Sequence, residues 1–197
     1  MDSITKLSFT LKIKGYISLL KLRLSSLVVM SAFFGFLLAD GNLSSYVFLN
    51  LILGGILITG SSNGFNQIIE HKTDELMSRT FSRPLPSKVL SIAEALTFCI
   101  FTGFLGLYLL ARINFSSFIL GLLAMVIYTV IYTPLKKITP FAVFIGAIPG
   151  SIPPLLGYVA VSNDFWLESV ILFLVQFFSQ FLHVLALTGE EDDEWKN

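Results

Sequence analysis

Six apolar runs, each near the ~20 residues that a bilayer requires, are separated by short polar breaks. They predict helices over roughly 16–39, 45–74, 89–111, 115–133, 139–161 and 166–188. Asp40-Gly41-Asn42 is a turn signal, and Pro84 and Pro86 argue against continuous helix in the loop 75–88. Arg112-Ile113-Asn114 closes the third run, and Pro134, Lys136 and Lys137 form a short basic loop after the fourth. The fifth run carries Pro140, Pro149, Pro153 and Pro154 among Gly146, Gly150 and Gly157. That pattern predicts a kinked helix that neighbours approach closely.

Residues 1–15, with Lys6, Lys12 and Lys14, read as a cytoplasmic lead-in. Basic residues before an apolar run suit a signal peptide, but no small-residue cleavage site follows and five more runs do, so the first helix is expected to be retained. Lys21 and Arg23 near its inner end either snorkel or face the protein interior. The expected fold is an all-α membrane protein, a multi-spanning transmembrane helix bundle forming a single domain over 1–197.

Composition agrees. Of 197 residues, 54% are hydrophobic and 13% charged, with mean hydropathy +0.79. This excludes an ordinary soluble domain. A formal net charge of zero gives no global case for nucleic-acid binding. The single cysteine, Cys99, excludes an intrachain disulfide and a CxxC metal site.

Charge placement orients the helices. With six spans and the N-terminus inside, every Lys and Arg except Arg112 falls on the cytoplasmic side. The same orientation gathers all candidate polar sites on one face. The charge rule alone would produce that grouping, so it speaks for topology and not for catalysis.

The most polar stretch is Ser61–Lys88. Asn66, Glu70 and Asp74 stand four residues apart, which stacks them on one helix face. Two carboxylates and an amide at a membrane boundary suit a hard cation such as Mg2+. Arg79, Arg83 and Lys88 follow at once. A divalent metal beside guanidinium groups is what a diphosphate needs to bind and to leave. The bland alternative is a polar helix end followed by a basic loop, common at membrane surfaces. Lys136 and Lys137 are likewise either membrane anchors or site cations. Gln180 and His183 are polar residues in an apolar run, suited equally to packing and to a site. The acidic tail EEDDEWKN alone reads as a solvated end.

The string N66-QII-E70-HKT-D74-ELMSRTFSRPLP resembles the first signature of the UbiA-type intramembrane prenyltransferases, and within them the haem O synthase (protohaem farnesyltransferase) branch. YTPLKK.TP and IGA.PG..PPL.G, within 131–158, are similar to the same branch. The resemblance implies catalytic and metal roles for Asn66, Glu70 and Asp74, and a diphosphate site of Lys72, Arg79, Arg83, Lys136 and Lys137. Lys72 stands where relatives usually carry a third acid, so it either contacts diphosphate or weakens the metal site. Gln180 and His183 resemble a WQ.PH string, implying haem contacts, with Ser179 in place of Trp and Leu182 in place of Pro. Asp193 and Glu194, followed by Trp195 in place of Tyr, stand where the superfamily places its second metal-binding motif.

What the resemblance implies is transfer of a farnesyl group from farnesyl diphosphate to a vinyl group of haem b, forming haem O. It further implies Mg2+ as cofactor, a bacterial plasma (inner) membrane location, and haem A synthase or oxidase assembly factors as partners. It also implies nine transmembrane helices, of which this sequence supplies about six, so a partial sequence or shortened reading frame is expected. Three alternatives stay open: prenyl transfer to a quinone-type aromatic acceptor, an inactive fragment, and a small-solute transporter. The acids cluster at one face and not at mid-membrane, which counts against the transporter.

Overall fold

A computed structural model of the chain describes the backbone of residues 2–194 and the side chains of residues 10–182. Among the described residues every regular element is helical. In chain order these are α1 (Asp2–Leu20), α2 (Leu22–Leu38), α3 (Tyr46–Asp74), α4 (Ile92–Ala111) and α5 (Phe115–Val126). A π-helical segment (Ile127–Tyr132), the single turn α6 (Thr133–Leu135), α7 (Ala142–Ser162) and α8 (Leu167–Glu194) complete the series. Five stretches are long and apolar enough to cross a membrane: Thr10–Leu38, Tyr46–Asp74, Ile92–Ala111, Phe115–Leu135 and Ala142–Ser162. The chain is an integral membrane helix bundle, as its apolar runs predict. The sixth run lies in α8, whose described apolar part, Leu167–Leu182, is shorter.

The helix starts are written in local chemistry. Ser45 caps α3 by accepting from Phe48 N, and Ser91 and Glu94 form a reciprocal capping box on α4. Asn114 caps α5 through Ser117 N, while its amide nitrogen donates to Val159 O at 3.0 Å and so ties α5 to the end of α7. Asn163 ends α7 in the left-handed conformation that Asn tolerates.

Two departures from the sequence reading matter. The first helix is not continuous: Lys21 takes a left-handed conformation, φ 45° and ψ 54°, and breaks it into α1 and α2. Ser25 Oγ donates to the freed Leu20 carbonyl at 2.7 Å. The lead-in over 1–15 is itself helical from Asp2. The fourth helix is likewise interrupted, by the π-helical segment. An apolar pattern cannot report either break, because the side-chain classes do not change across it.

Small residues set the closest crossings. A Cβ on Gly157 would collide with the Ala32 carbonyl, and one on Gly35 with the Pro154 carbonyl, so α2 and α7 meet backbone to backbone. α3 and α4 meet in the same way at Gly54 and Gly106, and Gly64 rests on Cys99 Sγ. The main core forms around Phe36, Leu51, Ile58, Leu110, Leu156 and Val159. Leu19, Leu85, Leu90 and Ala95 form a second cluster that pins the loop between α3 and α4 under the end of α1.

Candidate active site

The C-terminal half of α3 supplies the acidic face. Asn66 is buried, and its Nδ2 donates to Glu70 Oε2 at 2.9 Å, one helical turn on. Its Oδ1 accepts from Thr133 Oγ1 at 3.2 Å and from Lys136 Nζ at 3.0 Å. Lys136 Nζ also lies 3.0 Å from Glu70 Oε1. The π-helical segment and α6 therefore deliver the basic loop onto α3. Lys137 follows it there, donating to Thr73 Oγ1 at 3.3 Å.

Asp74, at the last turn of α3, is 4% exposed. Arg83 NH1 reaches both its carboxylate oxygens, at 2.8 and 2.7 Å. The loop folds back to allow this because Thr80 Oγ1 donates to the Asp74 carbonyl at 3.0 Å and Leu85 is buried beneath. On the other side, Gln67 Nε2 donates to Leu19 O at 3.2 Å, fixing the break at Lys21 against α3. The Lys21 ammonium is then within electrostatic reach of Glu70, Asp74, Arg83 and Lys136. The two carboxylates are thus paired with Arg83 and Lys136, and Lys137 stands beside them on Thr73. Basic side chains gathered in this way suit the oxygens of a multiply charged anion.

The donor set suits magnesium. Mg2+ is held through one or two carboxylates completed by substrate phosphates, not by a full protein cage. Glu70 and Asp74 supply the carboxylates, and among the described residues no group of three or more His, Cys, Asp and Glu side chains comes together. Their present cationic partners are the groups a phosphate would engage.

Not every expected residue joins. Lys72 is exposed and makes no bond to the cluster, because two residues of helix rotate it away from the face of Glu70 and Asp74. Arg79 and Lys88 are exposed on the loop. Gln180 is placed elsewhere, on the wall of an internal cavity. The side chains of His183, Asp193 and Glu194 lie outside the described residues.

That cavity, about 280 Å³, opens among Ser62, Asn63, Tyr128, Tyr132, Gly146 and Gln180. It lies just below the ~300–1,000 Å³ range of ligand pockets. Its walls are mostly apolar, and it abuts the acidic face. Tyr128 and Tyr132 both feel the Glu70 charge. Their rings pair with centroids 5.4 Å apart, and Lys136 Nζ sits 5.5 Å from the Tyr132 ring centre. Thr133 Oγ1 lies 2.8 Å from Tyr128 O, spanning the π-helical turn, and shares its one proton between that carbonyl and Asn66 Oδ1. Tyr132 rests on Gly146 of α7, which has no Cβ to displace it.

Sequence reasoning missed Lys21 as a site cation, Thr133, the tyrosine pair and Asn63. The tyrosines stand four apart, a visible spacing. The breaks that turn Lys21 and the pair inward leave no such signal.

Comparison with known proteins gives the family. A protoheme IX farnesyltransferase of Cytophaga hutchinsonii is 42% identical over 185 residues, 93% of this chain and 65% of its own length. One from Flavobacterium psychrophilum is 45% identical over 163 residues, 81% of this chain and 54% of its own length. The chain thus spans a little over half to about two-thirds of these relatives. Among solved structures, a digeranylgeranylglyceryl phosphate synthase superposes with TM-score 0.78 at 24% identity, covering 86% of this chain and 60% of that one. A UbiA homolog from Archaeoglobus fulgidus, bound to GPP and Mg2+, gives TM-score 0.65 at 20% identity over 91% of this chain and 65% of that one. These likenesses establish the fold. Residues 28–196 match the UbiA prenyltransferase family, and the chain belongs to that family.

Proposed function

We propose that this chain forms the diphosphate-binding part of an enzyme that transfers a farnesyl group from farnesyl diphosphate to a vinyl group of haem b, giving haem O. The observation that carries the reading is Lys136, which joins the amide of Asn66 to the carboxylate of Glu70 and so unites two distant signatures. The names of the relatives supply the substrates, and the basic side chains Arg83, Lys136 and Lys137 beside the acidic face support an anionic donor.

Glu70 and Asp74 would hold Mg2+, with Asn66 assisting. Held there, Mg2+ would supply charge neutralisation that makes the diphosphate a better leaving group. Arg83, Lys136, Lys137 and Lys21 receive the negative charge that grows as the diphosphate departs. Lys72 and Arg79, being exposed, steer the anion inward. Tyr128 and Tyr132 stand between this charged region and the apolar cavity, where their rings shield the allylic carbon from bulk water. Gln180 borders the acceptor side, and His183, Asp193 and Glu194 keep their expected roles as haem and metal contacts. The site faces the cytoplasm of a bacterial inner membrane, a placement supported by the bias of Lys and Arg.

Pigment analysis of membranes carrying the enzyme of which this chain forms the diphosphate-binding part, supplied with haem b, farnesyl diphosphate and Mg2+, tests the reading. Haem O is expected. Prenylation of a quinone-type aromatic acceptor in place of haem, or turnover indifferent to chelation of magnesium, overturns it.

A further inference from the structure

Polar side chains crowd the cavity-side half of α3, and some are spoken for. Ser61 Oγ donates to Cys99 O at 2.7 Å, Gln67 to Leu19 O, and Asn66 makes three hydrogen bonds. Thr59, Ser62 and Asn63, which line the pocket, are not, and the most deeply buried of the three is Asn63. It is 2% exposed, yet its amide bonds to no described residue. Ser62, 6% exposed, is its neighbour and also has no partner among them. Both line the cavity, whose other walls are mostly apolar.

The polar atoms of Asn63 are not sealed off: they open on the pocket, where a water can reach them. A polar pocket large enough for one water and offering two or more hydrogen-bonding groups holds that water firmly. Asn63 offers a carbonyl and an NH2, Ser62 a hydroxyl. Asn63 precedes Asn66 by three residues, which places it about 4.5 Å deeper along the helix axis than the acidic face.

We propose that Asn63 and Ser62 hold one water inside the cavity, and that this water captures the cation formed on the prenyl acceptor. The proposal rests on the reaction given above. In that reaction the donor C1–O bond breaks and its electron pair leaves with diphosphate. The vinyl π pair then forms a bond from the terminal vinyl carbon to C1. Positive charge moves to the inner vinyl carbon, next to the macrocycle. The held water donates a lone pair to that carbon, forming a C–O bond, and its proton passes to an oxygen of the released diphosphate. The product keeps a hydroxyl. Without a water in place, the same cation loses a proton and yields an alkene lighter by one water.

One held water differs from bulk water because its hydrogen bonds fix which cation it meets. Asn63 and Ser62 are positioning residues: they act through the water and leave the diphosphate to the cluster at Glu70 and Asp74.

Asn63→Leu tests this, since Leu has nearly the shape of Asn and strands no protein partner. In wild-type protein in lipid nanodiscs, a high-resolution structure is expected to show an ordered water hydrogen-bonded to the Asn63 amide. The variant should unfold at the same or a higher temperature. With haem b and farnesyl diphosphate, mass spectrometry should show its hydroxylated share falling about tenfold relative to the dehydrated product, the factor that one positioning hydrogen bond represents. Asn63→Ser, which keeps a hydrogen-bonding oxygen, should restore much of it. An unchanged product ratio, or a raised KM for haem b with no change in ratio, overturns the capture role and makes Asn63 a direct acceptor contact. Absence of the ordered water overturns the site. If wild-type protein prenylates no haem at all, the parent reaction and the capture step both fall, while the ordered water still decides the site.

Discussion

Lys136 Nζ donates to Asn66 Oδ1 at 3.0 Å across 70 residues of sequence, and the same ammonium lies 3.0 Å from Glu70 Oε1. One cation thus spans the amide and the first carboxylate of the acidic face. In the proposed reaction, a diphosphate arriving there would meet a lysine already held beside the acidic face.

Replacing Lys136 by Met should therefore cost transition-state stabilisation and not folding. Loss of one preorganised charge donor lowers kcat by about 10²–10³-fold. Lys136→Arg should recover part of this, limited by the different reach of its planar head. Steady-state release of diphosphate checks both variants, with circular dichroism to confirm retained helix.

Asp74 and Arg83 should behave as a coupled pair. Asp74 is nearly buried and Arg83 about three-quarters so, with side-chain exposures of 6% and 23%. Asp74→Asn leaves the arginine without its counter-charge and should reduce turnover by several orders of magnitude while the protein still inserts. Arg83→Gln alone should also be inactive. The double variant should be more stable than the sum of the singles by about 1–3 kcal/mol, measured as a double-mutant cycle in thermal unfolding.

Lys21 separates function from stability. Its left-handed backbone disfavours any residue with a Cβ by about 1–2 kcal/mol, whereas glycine adopts it freely. Lys21→Gly should keep or raise the unfolding temperature and at the same time weaken binding of farnesyl diphosphate. Equilibrium binding beside a melting curve reads both; parallel loss of the two would remove Lys21 from the site.

Close crossing of α2 and α7 allows no substitute for Gly157. Gly157→Val drives a side chain into the Ala32 carbonyl and should destabilise by about 1–3 kcal/mol or prevent assembly. Gly55→Ala is a useful contrast, because the only atom crowding its Cβ position is the movable Val29 Cγ2 at 3.0 Å. Detergent-resistance half-lives of the two variants give the comparison.

By itself the sequence determined the helical membrane class, the approximate spans and the identity of the acidic face. These follow from run length, hydropathy and the four-residue spacing of Asn66, Glu70 and Asp74, all local properties of the chain. It also singled out Lys136 and Lys137, but with no geometry to choose between anchor and site. Tertiary structure alone shows where they lie, because only folding brings the basic turn onto α3. Packing likewise turned Lys21 inward through a backbone break, aimed the Tyr128 and Tyr132 rings through a π-helical turn, and left Lys72 outside through simple helical rotation. Asn63 is the sharpest case. In sequence it is one more polar residue among several, and only the packing of α3 reveals it as a buried amide facing the pocket.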